Sequence, residues 1–222
     1  MKLLKVRAPG RVNLIGEHTD YNFGFVLPCA INKEVTIQGR KRKDKRVILH
    51  SINFAETVEI NLGKKFFKRG DWSDYLVGVI KEYEERGFPL SGMELEISGN
   101  IPIGAGLSSS AALEVATALF IKVSHNFKIE KKELAFLCQK AENSFVGVSC
   151  GIMDQFACIF SQRNFAIFLD CRDLSYTEVP LPLSRYKIIL ADTKKQRKLS
   201  DSAYNQRRKE CQQATSLLSE EA

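Results

Sequence analysis

The chain has 222 residues, 44% hydrophobic and 27% charged, with a formal net charge of +7. That balance excludes a disordered or fibrous chain and is enough to bury a core. No apolar run approaches the roughly 20 residues of a membrane helix, and MKLLKVRAPGRV reaches Pro9, Gly10 and Arg11 before a signal-peptide core could form, so a cytoplasmic protein without a membrane partner is expected. Six scattered cysteines without a CxxC pair read as reduced thiols. The positive charge concentrates at 40–46, 194–198 and 207–209. These runs lack interleaved aromatics, so they read as solvated loops and no nucleic-acid partner is expected.

In chain order, strand patterns occupy Leu3 to Ala8, Glu34 to Arg40, Val47 to Ser51, Thr57 to Leu62, Met93 to Ser98, Ala166 to Asp170 and Lys187 to Ala191. Helical spacing predicts helices over Trp72 to Arg86, Leu107 to Val123, Glu133 to Phe145 and Ser200 to Leu218, the last capped by Ser200 or Asp201. Strands and helices mix without a regular βαβ repeat, which predicts a two-layer α+β fold. Pro180-Leu181-Pro182-Leu183 reads as a connector, dividing the chain into 1–183 and 184–222. All 14 glycines lie at or before Gly151, and the final helix has no following element to cover its apolar face. The expectation is a second domain begun and not finished, with self-association through the uncovered surface.

Three segments carry chemistry. Residues 101–112, IPIGAGLSSSAA, set a glycine turn and three serines directly before a helix. Convergent amides and the helix dipole suit an anion there, although a glycine turn with a serine cap and no ligand reads equally well. The lysine of a Walker loop is missing. Residues 9–22 crowd Arg11, Asn13, Glu17, His18 and Asp20 into a short glycine-bounded stretch, the donors and acceptors that several sugar hydroxyls need. In 147–155, Asp154 follows a glycine turn beside apolar Ile152, Met153 and Phe156, where a carboxylate in a loop either acts on a proton or caps a turn. Glu142, beside Ala141 on the preceding helix, reads locally as solvated surface.

Taken together, GRVNLIGEHTDYN at 10–22, IPIGAGLSSSAALEVA at 101–116 and CGIMDQFA at 150–157 resemble the galactokinase branch of the GHMP kinase family, and the likeness runs on through AENSFVGVSCG and residues 201–208. The resemblance implies the GHMP fold and transfer of the γ-phosphoryl group of ATP, with Mg²⁺, to the anomeric hydroxyl of galactose. It makes Asp154 the proton acceptor and Arg11 the residue that stabilises transition-state charge. It makes Glu17, His18, Thr19, Asp20, Gly151, Asp154 and Tyr204 the sugar contacts, and Gly104, Ala105, Gly106, Leu107, Ser108, Ser109 and Ser110 the phosphate loop. Ser110 and Glu142 match the family's Mg²⁺-associated pair, against the local reading of Glu142. The family's third motif, another glycine-rich loop, has no counterpart after Gly151, so an inactive fragment is the expectation for the chain alone. A kinase for a related sugar such as N-acetylgalactosamine, or a sugar sensor on the same fold, is the alternative.

Overall fold

The computed structural model of the chain describes residues 3–194 and 203–220. Strands β1 (Leu4–Asn13), β2 (Phe25–Val26), β3 (Pro28–Lys41), β4 (Arg46–Ser51) and β5 (Glu56–Asn61) come first. They are followed by helix α1 (Ser73–Glu85), strand β6 (Met93–Gly99), and helices α2 (Ser109–His125), α3 (Lys131–Ala141) and α4 (Met153–Phe160). A 3-10 turn at Asp20–Asn22 and a π turn at Glu142–Val146 interrupt the run, and β7 (Phe165–Asp170), β8 (Tyr176–Pro180) and α5 (Ala203–Glu220) complete it. One eight-stranded sheet runs β2-β7-β3-β6-β4-β5, with β1 paired to β3 and β8 to β7. Only β4 and β6 pair in parallel among the described strands.

The sheet's register follows from alternation. Met93, Leu95 and Ile97 of β6 are buried while Glu94, Glu96 and Ser98 are more open, and Val47 and Leu49 of β4 repeat the pattern beside them. A slip of one residue would turn this face to water. Against it lies the second layer, α1 through Leu76, Val79, Ile80 and Tyr83, and α2 through Ala111, Ala112, Val115 and Ala116. Alanines on α2 let its backbone approach closely, and the helix is buried on nearly every side, including the side chain of Glu114. The expected two-layer α+β arrangement is what the chain adopts.

Two expected elements change. Lys187–Ala191 is not a strand: the segment is exposed and pairs with no other strand, so its apolar run has no edge to extend. The helix expected to Phe145 is α-helical only to Ala141 and widens into the π turn over Glu142–Val146. Strand β8 and helix α4 were not expected; Asp154 lies in the first turn of α4 rather than in a loop. Ser200 and Asp201 lie outside the described residues, while α5 does run on to Glu220 with Leu217 and Leu218 exposed. Three arginines of the basic run are paired with carboxylates, Arg40 with Glu94, Arg42 with Asp44 and Arg46 with Glu59. Among the described residues no helix is long and apolar enough to cross a membrane.

Candidate active site

Arg11 stands near the end of β1, just after a bulge that shifts the β1–β3 register between Pro9 and Arg11. Its side chain reaches the first turn of α4. There Nε and Nη2 donate to Asp154 Oδ1 and Oδ2 at 2.7 and 2.8 Å, a fork-on-carboxylate pair. Nη1 donates to the Gly106 carbonyl at 2.7 Å, and the backbone amide of Arg11 donates to the Leu107 carbonyl at 3.3 Å. One side chain thus ties the 104–110 loop to Asp154. Burial opposes the charge of Arg11, yet the Asp154 carboxylate more than compensates and raises the guanidinium's hold on its proton.

Gly104 and Gly106 carry the loop through positive φ of 75° and 73°, and Ser108 follows at φ 55°, where a side chain is strained. Ser108 occupies the N-cap position of α2, but its side chain makes no capping hydrogen bond. Its hydroxyl donates instead to Asp154 Oδ2 at 2.5 Å, which makes the serine a third anchor for that carboxylate. Ser109 and Ser110 open α2 and border a cavity of about 520 Å³.

On the other side of Asp154 lies the polar stretch after β1. Asp20 is buried in the 3-10 turn, and the amides of Tyr21 and Met153 donate to its carboxylate. Burial, and then the charge of Asp154, push its pKa up. Gly151 is fixed by this packing, since a Cβ there would fall 2.0 Å from Asp20 Oδ2. Glu17 and His18 are exposed; Asn13 Nδ2 donates to Glu17 Oε1 at 2.8 Å, and His18 Nδ1 and the Tyr21 hydroxyl share a hydrogen bond of 2.6 Å. The Thr19 hydroxyl is engaged inside the turn, facing the carbonyls of Gly16 and Phe25. The side chain of Tyr204 lies outside those described, but the start of α5 sits beside the turn before Gly151, where Ser149 donates its amide to Asn205 and accepts from Arg208, both at 2.9 Å.

Glu142 is not surface. It is 5% exposed, with Gln155 Nε2 donating at 2.7 Å, the Cys150 thiol at 3.3 Å, and Ser110 at its side. Burial, and then the charge of Asp154, push its pKa up to about 7. Among the described residues no group of three His, Cys, Asp or Glu converges to hold a metal alone. A buried carboxylate with only neutral donors, beside a hydroxyl at the head of α2, still suits Mg²⁺, which typically takes one or two protein ligands and completes its shell with water and phosphate oxygens.

Sequence reasoning missed the cavity. Trp72 and Phe54, stacked with ring centroids 6.1 Å apart, stand with Tyr75, Ile97 and Leu113 around it, while Lys68 reaches from its rim to the Val146 carbonyl. Its walls come from segments between Val35 and Val148 that only the fold assembles. The lone tryptophan was the one signal available.

Residues 74–162 match the family described as GHMP kinases N terminal domain, and residues 4–41 match the galactokinase galactose-binding signature. Residues 74–162 thus carry a GHMP kinase N-terminal domain. Galactokinases are among the proteins the chain is similar to. It is 50% identical over 217 residues to the galactokinase of Thermotoga maritima, covering 97% of this chain and 60% of that protein. The crystal structure of Lactococcus lactis galactokinase complexed with galactose superposes with TM-score 0.90 at 38% identity, over all of this chain and 58% of the other. Mevalonate kinase of Methanococcus jannaschii shares the fold, with TM-score 0.68 at 19% identity over 83% of this chain and 58% of the other. The chain therefore spans about three fifths of the length of the relatives it matches.

Proposed function

We propose that the protein is an ATP-dependent galactose 1-kinase of the cytoplasm, with residues 1–183 forming the domain that holds the sugar and the phosphates and 184–222 opening a second domain. The observation that carries this reading is the Arg11 guanidinium, which grips Asp154 with two nitrogens and the Gly106 carbonyl with the third. A sugar hydroxyl at Asp154 then lies beside whatever phosphate the 104–110 loop holds. The 50% identical galactokinase and the galactose complex at TM-score 0.90 support the choice of substrate.

In this reading Glu17, His18, Thr19, Asp20 and Tyr204, with the Gly151 backbone, orient galactose so that its anomeric hydroxyl meets Asp154. The anomeric oxygen bonds to the γ-phosphorus while the bond to the β,γ-bridging oxygen breaks, and that electron pair leaves on ADP. The hydroxyl proton passes to Asp154 and then to water. Arg11 faces the charge that develops on the transferring group, and the amides of Gly104 to Ser110 hold the phosphates. Ser110 and Glu142 would hold Mg²⁺, which would supply charge neutralisation for the phosphates. The cavity beside Ser109 and Ser110, walled by Trp72 and Phe54, takes the nucleoside end of ATP.

The test is ³¹P NMR of ATP and Mg²⁺ with galactose, N-acetylgalactosamine or glucose. It is run on the chain and on the chain joined to the remaining C-terminal portion of the Thermotoga maritima galactokinase. The joined protein is expected to form an anomeric sugar phosphate from galactose. Preference for another sugar, or phosphate on another hydroxyl, overturns the reading.

A further inference from the structure

Two neighbours in the first turn of α4 leave the helix in different directions. Asp154 meets Arg11 and Ser108. Gln155, fully buried, reaches into the core, where Nε2 donates to Glu142 Oε2 at 2.7 Å and to Glu114 Oε2 at 3.0 Å. A primary amide carries two N–H protons, one for each carboxylate, so a single side chain bridges the π turn and α2. The arrangement is costly for folding. Glu114 is wholly buried, and its Oε1 and the Oε1 of Gln155 find no hydrogen-bond partner among the described residues. An apolar trio of the same volume would pack there without desolvating two carboxyl groups.

We propose, resting on the kinase reading above, that Gln155 is a positioning residue: it fixes the Glu142 carboxylate beside Ser110 in the orientation that receives the nucleotide's divalent cation, and Glu114 is the anchor that holds the Gln155 amide in place. The cation site and the acceptor carboxylate Asp154 are then set by adjacent residues of one helical turn. A shift of α4 moves both.

The probe is Mn²⁺ with the non-hydrolysable nucleotide AMP-PNP, the free ion followed by electron paramagnetic resonance. The parent chain is compared with Gln155→Met, which keeps the volume and removes the donor. Loss of a group that orients a metal ligand weakens metal binding by about 10- to 100-fold, and that loss is expected in the ternary complex with galactose affinity unchanged. Glu114→Leu, which removes the amide's second acceptor, is expected to weaken Mn²⁺ in the same direction. Should Gln155→Met not fold, Gln155→Asn, one methylene too short to reach both carboxylates, reports the same loss. If the parent takes up Mn²⁺ with AMP-PNP and the folded Gln155 variants match it, the positioning role is overturned and the kinase reading stands. If neither the parent chain nor the chain joined to the remaining C-terminal portion of the Thermotoga maritima galactokinase takes up Mn²⁺ with the nucleotide, both fall.

Discussion

Glu142→Gln should stabilise the nucleotide-free chain at neutral and alkaline pH while removing its hold on a cation. Glu142 is 5% exposed, near Asp154 and sharing the Gln155 amide with Glu114, and its pKa rises from the ordinary 4.5 to about 7. A carboxyl raised in this way takes its proton more readily folded than unfolded. Its contribution to stability is therefore complete below pH 4.5 and is lost as pH climbs through 7. At about 1.4 kcal/mol per pH unit, the ionised Glu142 costs the folded chain about 3 kcal/mol by pH ~8. The amide side chain of the variant has the same shape and nothing to ionise. Urea unfolding of both proteins in EDTA, from pH ~4.5 to ~8.5, should show the variant gaining on the parent across that range until the gap reaches about 3 kcal/mol. A gap that does not change with pH, or a variant that loses ground as pH rises, would refute the argument.

Asp154→Asn should keep galactose affinity and lower turnover by roughly 10² to 10⁴, the usual contribution of a proton acceptor, measured by ADP release in the joined protein. Unchanged turnover would remove Asp154 from the chemistry. Arg11→Ala should depress kcat far more than it raises KM for galactose, because in the proposed reaction its charge faces the transferring group; a change confined to KM would move it to the binding shell. Gly151→Ala places a methyl 2.0 Å from Asp20 Oδ2. It should weaken galactose by about tenfold or more and destabilise the fold by about 1–3 kcal/mol, by calorimetric titration and urea unfolding; unaltered affinity would mean that Asp20 does not meet the sugar.

The parts of this fold legible in the sequence are those set by local periodicity. Met93, Leu95 and Ile97 alternate because one face of β6 is buried, and α2 announces itself by apolar spacing behind a glycine turn. Lys187–Ala191 has the composition of a strand, but pairing depends on an edge that no local pattern reveals. Glu142 was misread as surface for a related reason. Its burial is produced by α1 packing against the π turn, and a charge is drawn inside only when partners such as Gln155 and Ser110 arrive from elsewhere in the chain. Arg11 and Asp154, 143 positions apart, could each be flagged by residue type and neighbours. Their catalytic roles became an expectation only through family resemblance, and the cavity walled by Trp72 and Phe54 was beyond either route.

The most direct test is a crystal structure of the chain with galactose, read at one distance, from the anomeric oxygen to the Asp154 carboxylate. A hydrogen bond of about 2.6–3.2 Å is expected, with Asp20 and Glu17 on the remaining hydroxyls. Galactose bound away from Asp154, or bound with a different hydroxyl against it, would contradict the proposed reaction.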